Sequence, residues 1–274
     1  MPRTGSSPLA FPEFRGAARR LILINLAAYL LLAMAGAASS LFAARIVAGL
    51  AFDPFSFVRG ALWQPFTYSF VHFGILNTLF ELLSLWFLAG FLENYHDAGW
   101  VTSLYAVSVL GAAGASLALY AIAATLAPSL LAGAAPLYGC FGGIFGLLAA
   151  IGILYGDLEF LLFPLPIGIK ARYMAAIYAL VAIAMLFGAQ RLYAFAQLGG
   201  ALAGLLFVRS APRRGLVLTV SEGWFGMRNR YYRWKRHRAA RKFEVYMKRQ
   251  GQTVKFDGHG HRIDDDPVDK NRWN

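Results

Sequence analysis

The chain has 274 residues, of which 58% are hydrophobic and only 15% charged, with a mean hydropathy of +0.51. Soluble domains carry about 25% charge and roughly 45–50% apolar residues. No charged residue lies between Asp97 and Asp157, an interval of 59 residues, too long for one membrane span of about 20 and suited to two with a turn, so a water-soluble domain is excluded. Charge is also uneven along the chain. Residues 1–208 hold 9 Lys/Arg against 7 Asp/Glu, whereas residues 209–274 hold 17 against 7, so nearly all of the net +12 falls in the C-terminal tail.

Residues 1–20, with Pro, Gly, Ser and Arg, read as a disordered cytosolic lead. Residues 21–44 form the first apolar run. A signal peptide is its rival reading, because Arg19 and Arg20 precede a stretch that ends in small residues. The run is long enough to span, however, and apolar character resumes at Leu41-Phe42, which favours a retained helix. Residues 45–72 mix Arg, Asp, Pro and aromatics and suit an interfacial loop, with Trp63-Gln64-Pro65-Phe66-Thr67-Tyr68 as its anchor.

The second helix is expected over 73–92, interrupted only by Glu81, the third over 100–126 and the fourth over 137–155, with Gly133 and Pro136 in the turn between the last two. A fifth fits between Arg172 and Arg191, and a sixth between Arg191 and Arg209. The fold class is therefore all-α integral membrane, a six-transmembrane-helix bundle over residues 21–209. Arg3, Arg15, Arg19, Arg20, Lys170, Arg172 and the tail share one side, against Arg45, Arg59 and Arg191, so both termini are expected in the cytosol. No repeat of the kind found in secondary transporters is visible.

Four segments in order carry a family likeness. Helix two reads His72-Phe-Gly-Ile-Leu-Asn77-Thr-Leu-Phe-Glu81, then Gly90-Phe-Leu-Glu93. Helix four opens Gly139-Cys-Phe-Gly-Gly-Ile-Phe-Gly146. Helix five follows Phe163-Pro-Leu-Pro-Ile-Gly-Ile-Lys170-Ala-Arg-Tyr173, and helix six contains Gln197-Leu-Gly-Gly200-Ala-Leu-Ala-Gly204. Over roughly residues 60–209 the chain resembles the rhomboid family of intramembrane serine proteases. The resemblance implies a Ser nucleophile at the start of helix four, a His base on helix six, and a His and an Asn on helix two that hold the oxyanion, with a further His opening that motif.

Matched position by position, only the opening histidine is kept, as His72. The nucleophile falls on Phe141, the base on Gln197 and the oxyanion pair on Asn77 and Glu81. Phe has no nucleophilic atom, and the Gln amide accepts no proton near neutral pH. Losing such a nucleophile costs on the order of 10⁶ in rate, and an ionised Glu81 would repel an oxyanion. The catalytic set is therefore expected to be absent, while His72, Asn77, Glu81, Phe141 and Gln197 remain as lining of the former substrate groove.

Cys140, the single cysteine, excludes an intrachain disulfide. As a substitute nucleophile it is disfavoured, since one helical residue turns it about 100° from its neighbour and helix six offers no His. It reads instead as a small packing residue. Glu81 costs roughly 2.5–3.5 kcal/mol at mid-membrane and should face protein, with Asn77 and Gln197 as partners. A groove-lining role and a proton relay are its functional alternatives. The many glycines of helices four and six suit close helix approach.

The tail segment 227–249 is basic with interleaved aromatics, is expected to be helical, and suits anionic lipid headgroups or a docked protein more than nucleic acid. His259-Gly-His261 is too isolated for a metal site, the residues around Asp264-Asp265-Asp266 read as disordered, and no cofactor is expected. Function divides into an inactive rhomboid-like protein that holds transmembrane clients, an active protease of serine type or working through Cys140, and a channel or transporter using Glu81. The expected location is a plasma membrane of the bacterial inner type. Reporter fusions at Gly5 and Asp257 should both report the cytosol, and one near Arg59 the opposite side; a cleaved or externally exposed N-terminus would refute this topology and restore the signal peptide.

Overall fold

The computed structural model describes residues 12–126, 135–161, 168–188 and 190–210, with short stretches at 234–235, 255–256 and 262–263. The chain divides into two units, Met1–Val217 and Leu218–Asn274. In the second, Lys255–Phe256 pairs antiparallel with Arg262–Ile263. The basic segment 227–249, apart from residues 234–235, and the segment His259-Gly-His261 lie outside the described residues.

The first unit is an all-α membrane bundle. Its main helices are α1 (Gly16–Ala38), α5 (Ile75–Glu93), α6 (Ala98–Leu126), α7 (Phe141–Leu154), α8 (Ala171–Met185) and α9 (Arg191–Ser210). Between α1 and α5 come α2 (Ser40–Leu50), α3 (Pro54–Val58), α4 (Gln64–Thr67) and a 3₁₀ turn, Tyr68–Phe70. Four helices, α1, α5, α6 and α9, are long and apolar enough to cross a membrane. The apolar helices α7 and α8 are shorter, at 14 and 15 residues. Many large apolar side chains point outward, among them Leu31, Met34, Ile75, Leu76, Phe80 and Leu180, as suits a surface that meets lipid.

The expected first helix, 21–44, is corrected at both ends. Helix begins at Gly16, within the stretch assigned to the disordered lead, and stops at Ala38. Ser39, in extended conformation, then starts α2 by accepting the Phe42 N–H on its hydroxyl. The start of α1 has no cap of its own. The Glu93 carboxylate, at the far end of α5, accepts the Ala17 and Ala18 N–H groups instead, and it also suits the positive end of the helix dipole. A second addition is a short hairpin before α8, in which Glu159–Leu161 pairs antiparallel with Gly168–Lys170. Beside it Asp157 takes Arg172 at 3.0 Å.

Helices α6, α7 and α9 make the centre. A Cβ on Gly204 would lie 2.7 Å from the Cα of Gly146, and one on Gly200 would run into the Gly142 carbonyl. The two backbones therefore touch along α7 and α9, which only glycine allows. A Cβ on Gly111 of α6 would likewise strike Ala203 of α9. Buried hydroxyls in α6 spend their protons within the helix: Ser108 donates to the Leu104 carbonyl at 2.7 Å and Ser116 to that of Ala112 at 3.0 Å. Gly200→Ala should therefore cost about 1–3 kcal/mol of stability by overpacking. Gly114→Ala, where nothing lies within 4 Å, should be neutral or stabilising by up to about 1 kcal/mol. Unfolding midpoints in detergent check the contrast.

Candidate functional site

Helix α7 starts deep in the protein because the chain before it is held by the loop between α2 and α5. Phe52 and Leu137 exchange both backbone hydrogen bonds, at 2.9 and 2.8 Å, and the Gly139 N–H donates to the Tyr68 carbonyl at 3.1 Å. The loop is itself hooked to the end of α2. Trp63 Nε1 donates to the Gly49 carbonyl at 2.8 Å, and Thr67 Oγ1 to that of Leu50 at 2.7 Å. Tyr68, buried, donates its hydroxyl proton to the Val109 carbonyl at 2.8 Å. Within the expected aromatic anchor, then, Trp63 and Phe66 are exposed while Tyr68 belongs to the core. Non-helical backbone at membrane depth is tolerated only when protein covers it in this way.

Gly139 has φ +86°, a conformation natural to glycine. A Cβ there would also lie 2.8 Å from Glu81 Oε2. That carboxylate is the centre of the site. Glu81 is 2% exposed, and its Oε2 accepts the Cys140 N–H at 2.9 Å and the Cys140 thiol at 3.4 Å. Its Oε1 accepts from Asn77 Nδ2 at 2.6 Å, one turn earlier on α5. His72, immediately before α5 and 1% exposed, brings Nε2 to 3.7 Å from the same Oε2. That is beyond hydrogen-bond reach.

The inward orientation expected of Glu81 is present, and so is Asn77 as its partner. The other expected partner is not: no hydrogen bond joins Glu81 to Gln197 among the described residues. Gln197 is buried on α9, and its Oε1 has no hydrogen-bond partner among the described residues. Cys140 also departs from expectation. It is the N-cap of α7 rather than a residue of its first turn, so the 100° helical offset does not govern it. The residue packs fully buried in the apolar core, as expected, while its thiol also donates to Glu81. Phe141 opens α7, half-buried against the apolar core.

Two participants escaped sequence reasoning. Tyr193 on α9 accepts the Tyr138 N–H at 3.2 Å and donates to the Pro136 carbonyl at 3.3 Å, pinning the chain just ahead of Gly139. The Tyr138 ring packs between those of Phe73 and Tyr193, at 4.8 and 5.5 Å between centroids. Their only signal was aromatic character beside a motif glycine. Farther away, His96 stacks on Trp100 at 3.8 Å and shares a 3.0 Å hydrogen bond with the Tyr155 hydroxyl. Burial holds its imidazole below the ordinary histidine range, opposed by the neighbouring Asp97 charge.

Chemically, the cluster holds a carboxylate by three donated hydrogen bonds. Glu81→Gln should be tolerated, because the exposed setting of Asn77 lets its amide turn and accept from the new NH₂. Glu81→Leu should cost about 1–3 kcal/mol by stranding the Cys140 N–H. Thermal unfolding of the two variants in one detergent decides between these outcomes, and equal losses would contradict the hydrogen-bond account.

No curated protein matches the chain. A model of the Rhomboid domain does, over residues 59–213, more than half of the chain and the part that contains the covering loop, the α5 cluster, the opening of α7 and the glycine seam with α9. The chain is a multi-pass membrane protein of the rhomboid family.

Proposed function

We propose that this rhomboid is catalytically inactive and holds transmembrane client proteins, as a chaperone, adaptor or quality-control factor. The observation that carries the reading is the use made of the former catalytic positions. Phe141 stands where the nucleophile belongs and Gln197 where the base belongs. The Glu81 carboxylate, at an oxyanion position, takes the Cys140 N–H for itself. A backbone donor engaged by an anion is not free for a second one. Client holding is supported by the exposed face of α5, where Ile75, Leu76, Leu79 and Phe80 surround the exposed amide of Asn77. A client helix with a polar residue finds there both apolar contact and a hydrogen-bonding group.

In this reading the termini face the cytosol, the membrane is a bacterial inner membrane, and the basic tail meets anionic headgroups, each charge near the surface contributing about 1 kcal/mol. The test is a fluorogenic transmembrane substrate incubated with wild type, Cys140→Ala, Phe141→Ser and Phe141→Ser with Gln197→His. Wild type should bind the substrate uncut, and Phe141→Ser alone should stay silent, since no base would take its proton. Turnover by wild type that disappears in Cys140→Ala would establish a cysteine protease instead, and turnover that survives it would point to another nucleophile. Proton or ion flux in liposomes, lost in Glu81→Gln, would favour the channel.

A further inference from the structure

The cluster around Glu81 contains a histidine that no hydrogen bond from the described residues satisfies. His72 is 1% exposed, yet neither Nδ1 nor Nε2 has a hydrogen-bond partner among the described residues. Burying a polar group unpaired is costly, and such a group calls for an explanation. Its Nε2 is directed at the oxygen that also receives Cys140. The ligand-capable atoms of His72, Glu81 and Cys140 all lie within 4.8 Å of one another, and all three residues are buried.

We propose that His72, Glu81 and Cys140 form a binding site for a single thiophilic divalent metal ion of the zinc class. The donor set is one imidazole nitrogen, one carboxylate oxygen and one sulfur, which suits zinc or cobalt and not the oxygen-seeking calcium and magnesium. Zinc bonds of about 2.0–2.3 Å at tetrahedral angles place ligand atoms roughly 3.3–3.6 Å apart. Nε2 to Oε2 is 3.7 Å and Sγ to Oε2 is 3.4 Å, so two of the three separations need almost no adjustment. The third closes by side-chain rotation within its 4.8 Å limit.

Charge favours the same occupant. A thiolate and a carboxylate neutralise a dication, which leaves no net charge inside the bilayer, where an isolated ion is costly. Cys140 gives up its thiol proton to solvent on binding, so uptake of one ion releases one proton. The ligands are also oriented from behind: Asn77 Nδ2 holds Oε1, and the Cys140 N–H holds Oε2. Three protein ligands leave a fourth position for water. The ion would tie the turn before α5 and the second turn of α5 to the N-cap of α7. No metal-binding spacing announces this set in the sequence, because its members are separated by 9 and 59 residues. The proposal is independent of whether the protein cleaves or holds clients.

The chain has a single cysteine, so any metal–thiolate absorption belongs to Cys140. The experiment uses full-length protein purified without a polyhistidine tag, carrying His259→Ala and His261→Ala, and titrated with cobalt(II) in detergent. The expected result is a near-ultraviolet thiolate-to-cobalt charge-transfer band that saturates at one equivalent and is displaced by zinc. Cys140→Ser should abolish the band, and His72→Gln should weaken binding at least about tenfold. Zinc should raise the unfolding temperature of the parent protein, a readout that needs no further variant to fold. A folded parent that shows neither band nor thermal shift would overturn the site. So would a band of undiminished affinity in folded His72→Gln, or bound metal without thiolate absorption, which would mark an adventitious ion only.

Discussion

The backbone-to-backbone contact of α7 with α9 is the constraint from which the rest of the bundle follows. Between membrane helices there is no hydrophobic driving force, since lipid tails are as apolar as leucine, and association rests on close packing. Gly142 and Gly146 on α7 meet Gly200 and Gly204 on α9, with room for no side chain between them. Gly199 of α9 in turn fits against Ala115 of α6. Three helices thus form a centre by smallness, and the larger apolar residues are released to face outward. Helix α1 takes its place at the periphery, where Glu93 caps it from α5.

Fixing α7 this way also fixes where it begins. At 14 residues it spans about 21 Å at 1.5 Å per residue, short of a hydrocarbon core about 30 Å thick. Its N-cap, Cys140, is buried in the protein, and the extended residues before it need partners for their backbone groups. Phe52 and Tyr68 supply them from the loop, and Tyr193 from α9. The Cys140 N–H at the start of the helix finds its partner in Glu81. The cost of a buried carboxylate is thus offset by a helix terminus that would otherwise be unsatisfied.

The sequence displayed the bundle through its uncharged intervals, and it displayed the inward face of Glu81 through the cost of the alternative. It located the partner less well. Helical periodicity pairs Glu81 with Asn77, and a facing-helix argument pairs it with Gln197. The second argument failed because the contact comes from an N-cap, whose side-chain direction no helical period describes. The same limit applies to Cys140, placed by the 100° rule in a helix that begins one residue later. The break at Ser39 was hidden because the residues around it are as apolar or small as those of a continuous span. The hairpin before α8 was hidden because strands of three residues carry almost no alternation.

An enzyme site must leave some of its polar groups wanting, since a donor already engaged in the ground state has little to offer a transition state. The residues around Glu81 are arranged in the opposite sense. The carboxylate gathers the Asn77 amide, the Cys140 thiol and the Cys140 N–H onto two oxygens, and Gly139 surrenders its Cβ so that the carboxylate can sit against the backbone. Local satisfaction of this kind rigidifies the α5–α7 junction. Among the described residues, His72 and the Gln197 oxygen stay without a hydrogen-bond partner. His72 Nε2 stands 3.7 Å from that carboxylate, beyond hydrogen-bond reach, so its bonding capacity is the part of the cluster that the protein leaves unused.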